Sequence, residues 1–155
     1  MSERLTRNVK YSEIIDLFQT RCDQHLAIAS FNSGTIDFLD SAAVNQKYPF
    51  IFLRPMNTIV ADRQRSLSFE LYSLDIPKLK SSSHVELLSD TEQYIYDLMS
   101  YFEFGPDAIQ QNYDFIMNDC VPVNEAFQDR VFGWVANIDI VTPYNLNYCV
   151  YPEYP

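Results

Sequence analysis

The stretch Leu87-Leu-Ser-Asp-Thr-Glu-Gln-Tyr-Ile-Tyr-Asp-Leu-Met-Ser-Tyr-Phe102 constrains the fold more than any other part of this chain. Ser89 followed by Glu92 reads as a capping box, in which each side chain satisfies a backbone N–H at a helix start. Asp90 and Glu92 place negative charge on the positive end of the helix dipole. Ile95, Leu98, Met99 and Phe102 then recur at i, i+3, i+4 and i+7, one face of an α-helix. Gly105-Pro106 ends it. Burying those four side chains is worth roughly 1.5–3 kcal/mol each before conformational entropy is charged. One short helix cannot bury that stripe alone, so a flat apolar surface must lie against it.

Strand-like segments on either side supply that surface. Tyr48-Pro-Phe-Ile-Phe-Leu53 reads as a strand that Pro55 ends. Thr58–Ala61 and Ser66–Leu74 read as a hairpin around a polar tip, Asp62-Arg-Gln-Arg65. In the second arm Leu67, Phe69 and Leu71 alternate with Ser68, Glu70 and Tyr72, which buries one face. Asp129 to Val141 is the longest strand, with Phe132, Trp134, Ala136, Ile138 and Ile140 on one face. Val131, Val135 and Val141 partly fill the other face, as in a strand with neighbours on both sides. Pro143 ends it. Residues 109–117 mix helical and strand cues.

Near the N-terminus, Tyr11, Ile14, Ile15, Phe18 and Cys22 form a core-facing stripe, so residues 8–23 are expected to be helical. Leu26–Phe31 reads as a short strand before the turn at Asn32-Ser-Gly34. The long connection to residue 47 carries no clear element. At the other end, Tyr144 to Pro155 holds four tyrosines and two prolines, an extended arm over 142–155. The expected architecture is α+β and a single domain over 1–155. It is an antiparallel-rich mixed sheet of four to five strands, with two main helices on one face, a projecting hairpin and an extended C-terminal arm.

Length fits this: 155 residues can bury one real core. Eleven tyrosines and eleven phenylalanines against three glycines make the chain aromatic-rich. A surface using this much tyrosine often meets other proteins. The net charge of -10 argues against gripping a phosphate backbone, which needs clustered Lys and Arg. Cys22, Cys120 and Cys149 are odd in number, far apart and without a CxxC, as expected of reduced thiols in a cytoplasmic folding environment. His25 and His84 stand at no metal-ligand spacing. No secretory leader follows the N-terminus, and no apolar run spans a bilayer.

Catalytic signatures are missing. There is no GxSxG, P-loop, GxGxxG or HExxH. Asp119 beside Cys120, with His25 or His84 as base, would be a hydrolase dyad, but a structural cysteine is the simpler reading. Asp37 and Asp40 do not have trusted metal-site spacing. Asp139, with Asn137 on its face of the last strand, reads as a solvated or interface-facing carboxylate. Arg63 and Arg65 at the hairpin tip read equally as a solvated turn, an edge guard or a partner contact. Lys78, Lys80 and His84 in the following connector share that ambiguity.

Several phrases resemble the tail-terminator and neck-ring proteins at the head–tail connector of tailed bacteriophages. They are Tyr48-Pro-Phe-Ile-Phe-Leu53 after a long loop and Phe69-Glu-Leu-Tyr-Ser-Leu-Asp75 closing a hairpin. Then come Ser89-Asp-Thr-Glu-Gln93 opening the helix, Phe132-Gly-Trp134 starting the last strand and Pro143-Tyr-Asn-Leu-Asn-Tyr-Cys149 after it. The resemblance covers roughly residues 8–150 and rests on the order of elements more than on any diagnostic motif. It implies a structural virion protein, assembled in the host cytoplasm, that forms a ring at the head–tail junction or the end of the tail tube. The implied partners are copies of itself, a hexameric ring being favoured over a dodecameric one, and the adjoining neck, tail-tube or portal rings. DNA would pass through the lumen without specific binding, and the acidic balance agrees with that. No cofactor, metal, membrane or catalysis is implied. The competing expectation is a small non-viral adaptor that captures a partner peptide on a sheet edge. Subunit contacts are expected from the hairpin at 54–67, with Arg54, Arg63 and Arg65, and from the arm, with Tyr144, Tyr148, Tyr151 and Tyr154. Tyr94 on the outer face of the 87–102 helix is expected to join them.

Overall fold

The computed structural model describes residues 10–35, 47–77, 84–104, 114–126 and 131–144. Among these residues the elements run α1 (Tyr11–Gln24), β1 (Ser30–Ser33), β2 (Phe50–Ala61), β3 (Gln64–Asp75), α2 (His84–Phe104), β4 (Asp114–Ala126) and β5 (Val131–Pro143). The strands form one sheet in the order β1-β2-β3-β5-β4, open at both ends. Only β1 and β2 run parallel; the other three pairings are antiparallel. The expected α+β architecture is the one observed.

Both helices lie on one face of the sheet. Ile14, Phe18 and Cys22 of α1 and Ile95, Leu98, Met99 and Phe102 of α2 share a core with Ile51, Leu53, Leu67, Phe69, Leu71, Ala136, Ile138 and Ile140. Periodicity located these stripes because each is a single face repeated at helical spacing. Tyr11, at the start of its stripe, stays 41% exposed but still stacks on Phe69 with ring centroids 6.1 Å apart. Glu13 begins α1 by accepting from the Lys10 backbone N–H at 3.1 Å, so this helix starts at residue 11, and residues 8 and 9 of the expected span lie outside the described residues.

The start of α2 departs from expectation. The helix begins at His84, five residues before Ser89, and the supposed capping box lies inside it. The sheet decides this. The Trp134 indole N–H donates to the Leu88 carbonyl at 2.7 Å, and the His84 ring stacks on Phe132 at 4.3 Å. Leu87 and Thr91 extend the buried stripe one turn further back, and the Thr91 hydroxyl donates to the Leu87 carbonyl. Glu92, freed from capping, is bonded instead to Tyr96 one turn on, which raises the pKa of that phenol.

Pro55 does not end its strand either. β2 continues to Ala61, with a register slip between Pro55 and Asn57. β1 covers β2 only at Phe50–Leu53, so position 55 already lies on an edge, where a missing N–H costs little and a bulge absorbs the ring. β1 itself sits later than expected, at Ser30–Ser33. Ile28 tucks into the core and Leu26 is fully exposed, which places residues 26–29 as an approach to the strand.

A second apolar cluster lies on the face away from the helices. Phe50, Phe52, Tyr72, Leu74 and Val131 are buried there, with edge-to-face ring pairs at 6.0 Å (Phe50–Phe52) and 6.3 Å (Phe52–Tyr72). The β2–β3 hairpin is therefore buried on both faces near β1; toward the tip β3 keeps one buried face as far as Leu67, whereas β2 is exposed from Pro55 to Ala61.

Candidate assembly surface

The tip of the hairpin is a two-residue turn, Asp62-Arg63, closed by the Ala61–Gln64 pair. Both residues have positive φ, 52° and 63°. This is the backbone a tight hairpin demands, and Asn-Gly is the pair that suits it best. A side chain in this region costs roughly 1–2 kcal/mol where glycine costs little. Arg63→Gly is therefore expected to raise stability by about 1 kcal/mol, read from urea unfolding. If Arg63 serves assembly, the same variant will assemble less well despite being more stable.

The tip is not a free finger. β5 accompanies β3 as far as the Gln64–Pro143 pair, and the Tyr144 N–H donates to the Arg63 carbonyl at 2.9 Å. The Arg65 guanidinium lies 5.6 Å from the centre of the Tyr144 ring, within cation–π range. Arg63, Arg65 and Tyr144, far apart in sequence, thus form one group at the distal end of the sheet.

Arg54 lies elsewhere, on the sheet face away from the helices. It is paired across the strands with Glu70 at 2.7 Å, and the Tyr72 hydroxyl donates to the same carboxylate at 3.3 Å. Burial first, then Glu70, raises the Tyr72 pKa. Further along that face Asp139 accepts from the Ser68 hydroxyl at 2.6 Å and from the Asn118 amide at 2.9 Å. Asn137 donates to Asp119 at 2.6 Å. The carboxylate of the last strand is thus the centre of a polar seam joining β3, β5 and β4.

Tyr94 turns toward its own chain. It packs edge-to-face on His25 at 5.5 Å, and burial followed by Asp90, Asp75 and Asp97 raises its pKa. Beside it His25 Nε2 meets Asp97 at 2.9 Å and the Gln93 amide donates to the other Asp97 oxygen at 2.9 Å. Partial burial opposes the charge on Asp97, but these hydrogen bonds outweigh it and hold the carboxyl below its ordinary pKa. A depressed carboxyl stabilises the fold above its unfolded value near 3.9, and the contribution disappears as pH falls through the folded value. Asp97→Asn is therefore expected to lower the urea midpoint slightly at pH 7, with the gap to the unaltered chain closing toward pH 3.

Asp119 and Cys120 project to opposite faces of β4. Asp119 joins the polar seam, while Cys120 packs beside the helix-side core, where burial, Glu92 and Asp119 raise its pKa. Cys22 is fully enclosed and its thiol is pushed up to about 12. His25 and His84 are engaged with Asp97 and Phe132. Asp37, Asp40, Lys78, Lys80, Cys149 and the arm tyrosines Tyr148, Tyr151 and Tyr154 lie outside the described residues.

Sequence reasoning pointed to the 54–67 hairpin and to a sheet edge, but did not single out the apolar residues on the β2 edge or β4 as the opposite edge. Past the Gly34 N–H bond to the Leu53 carbonyl, no strand is paired to the outer side of β2 among the described residues, and Met56, Ile59 and Val60 are 50–58% exposed there. A shallow cleft of about 110 Å³ opens beside it between Tyr11, Pro55, Thr58, Leu67 and Phe69. β4 is the other edge, with Ile116, Met117 and Val121 exposed. Comparison with protein-family models and with curated proteins returned no match. No helix among the described residues is long and apolar enough to cross a membrane.

Proposed function

We propose that the chain is a structural subunit of a ring at the head–tail junction of a tailed bacteriophage, through which DNA passes. The observation that supports this most is the distal edge of β2, where no strand is paired among the described residues. An eight-residue strand edge with exposed Met56, Ile59 and Val60 is the kind of surface that monomeric proteins shield with lysines, short strands or a covering element. Arg54, Pro55 with its bulge, Asn57 and Thr58 guard the inner half of this edge and Asp62-Arg63 its tip, which leaves Ile59, Val60 and Ala61 as its unguarded apolar run. A second edge of different sequence stands at the opposite side of the sheet. Two unlike sticky surfaces on one body favour head-to-tail association, which closes into a ring when the rotation between copies divides a full turn. The net charge of -10 suits a lumen that lets DNA slide without holding it. Cofactor or metal chemistry has no part in this reading.

The deciding experiment is localisation. Antibody or gold labelling should find the chain at the head–tail junction of purified virions, in a fixed copy number per particle. Its absence from virions would reject the proposal. The runner-up, a non-viral adaptor that captures a peptide strand on the same β2 edge, would then gain. It would be recognised by a stable monomer that binds extended peptides.

A further inference from the structure

The distal edge of β2 offers a short backbone ladder whose free groups follow from the hairpin. A two-residue hairpin closes on a pair that exchanges both backbone hydrogen bonds, here Ala61–Gln64, and such pairs alternate along the strands. Ile59–Ser66 is therefore bonded in the same way, whereas Thr58 and Val60 turn their N–H and C=O groups away from β3. Further in, Pro55 has no N–H to give, and the Leu53 carbonyl already accepts from the Gly34 N–H. The stretch left for a partner runs from Asn57 to Ala61. Ile59 and Val60 are more than half exposed there, and the shallow cleft beside Tyr11, Thr58 and Leu67 borders it on the helix side.

One segment of the chain suits that ladder. In Asn145-Leu-Asn-Tyr-Cys-Val-Tyr151, Leu146, Tyr148 and Val150 alternate with Asn145, Asn147, Cys149 and Tyr151, between Pro143 and Pro152. This is a strand pattern without a charge to oppose pairing, and it is as long as β2 from Pro55 to Ala61. The described residues end at Tyr144. Its N–H meets the Arg63 carbonyl at 2.9 Å, one residue past the Gln64–Pro143 pair, so the backbone is heading outward beyond the hairpin tip. Returning to the outer side of its own β2 means reversing direction and crossing three strand spacings, about 14 Å. That takes at least about four residues and leaves less than half of the segment to pair. The β2 edge of a second copy sets no such limit.

We propose that Asn145–Tyr151 of one copy adds as a strand to β2 of the next, along Asn57–Ala61. This rests on the ring reading and names its contact. The partner is a second copy of this chain, and an arm that meets an edge makes a heterologous interface.

Two variants of the full chain test it: Val60→Pro on the edge, and Tyr148→Pro together with Cys149→Pro in the arm. Proline is tolerated on an edge strand where the lost N–H faces outward, so Val60→Pro should keep the circular dichroism of the unaltered chain. In the arm, one of two neighbouring N–H groups must face β2 whatever the register, so the double variant removes a donor there. Each variant is expected to raise the half-assembly concentration about tenfold or more, because the contact loses a backbone hydrogen bond and leaves an acceptor unpaired. Each also keeps the other half of the contact, so an equimolar mixture should form 1:1 dimers that grow no further, weighed by sedimentation or single-particle mass. If either variant still builds rings like the unaltered chain, this contact is wrong and the ring reading survives. A mixture that stays monomeric puts the arm on its own chain or on another surface and overturns the contact. Unaltered chains that form open filaments, which both variants abolish, would keep the contact and reject the ring. An unaltered chain that stays monomeric at high concentration would reject both. Should Val60→Pro unfold, amide exchange in the unaltered chain decides instead. The Thr58 and Val60 N–H groups should exchange freely in the dilute monomer and about tenfold or more slowly once assembled. Protection already present in the monomer, or absent from the assembly, overturns the proposal.

Discussion

Phe102→Ala is expected to remove about 3–5 kcal/mol of folding stability, the usual cost of deleting a fully packed aromatic side chain. Phe102 is 2% exposed on α2. Its ring meets Phe18 of α1 edge-on at 4.5 Å and lies nearly parallel to Phe115 of β4 at 4.7 Å, while Phe18 and Phe115 are 6.4 Å apart. Three elements that share no backbone hydrogen bonds therefore converge on one ring. Deletion loses the transfer energy of the side chain, leaves a cavity and breaks ring contacts worth roughly 0.5–1.5 kcal/mol each. For a domain of this size the melting temperature should fall by roughly 6–20 °C. Phe102→Leu should cost less, since it refills much of the hole. A double-mutant cycle with Phe18→Ala should show coupling, because both deletions empty the same space. A loss under about 1 kcal/mol would mean that the ring does not anchor β4.

The helical stripes that converge on Phe102 were legible because their spacing is a property of one segment alone. So were the hairpin, which alternation and a polar tip mark locally, and the long last strand. What sequence could not supply depends on pairing partners. Ser89 and Glu92 satisfy the capping pattern, yet α2 starts at His84 because Trp134 and Phe132, more than forty residues away, hold the earlier turn. Pro55 reads as a strand stop, yet it lies where β1 has ended and a bulge is cheap. Tyr72 alternates with Phe69 and Leu71, a pattern that points it outward, but it packs with Phe50, Phe52 and Leu74 on the second face. The candidate surface was legible only in part. Arg54, Arg63 and Arg65 are legible as charges on the 54–67 hairpin, the last two at its tip. The row Arg54, Glu70, Asn137 and Asp119 across the sheet needs three pairing registers, and no local pattern contains them.

Gly133→Ala is expected to be as damaging as the core deletion, through crowding rather than a void. Glycine inside a strand normally weakens it, because no side chain packs there and more backbone entropy is lost. Here β5 approaches β3 so closely at the Leu74–Gly133 pair that a Cβ on residue 133 would run into the Ser73 carbonyl oxygen, lie 2.9 Å from the carbonyl carbon and 3.1 Å from the Leu74 Cα. All three obstacles are backbone, so no rotamer change relieves them. Nor can β5 simply step back. Trp134, the next residue, is tied to the Leu88 carbonyl, Phe132 on the other side lies under the His84 ring, and β4 pairs along the far edge. Relief must therefore break part of the β3–β5 ladder at the inner end of the sheet, where Ser73 and Leu74 are fully buried. Overpacking of this kind costs about 3 kcal/mol or more when the backbone must move. The signature is a lowered urea midpoint together with fast amide exchange spreading from Ser73–Asp75 and Val131–Trp134, while α1 stays protected. Unchanged stability in Gly133→Ala would show that the strands can separate there at no cost. The Phe132-Gly-Trp134 phrase would then owe its glycine to something other than the close passage of β3.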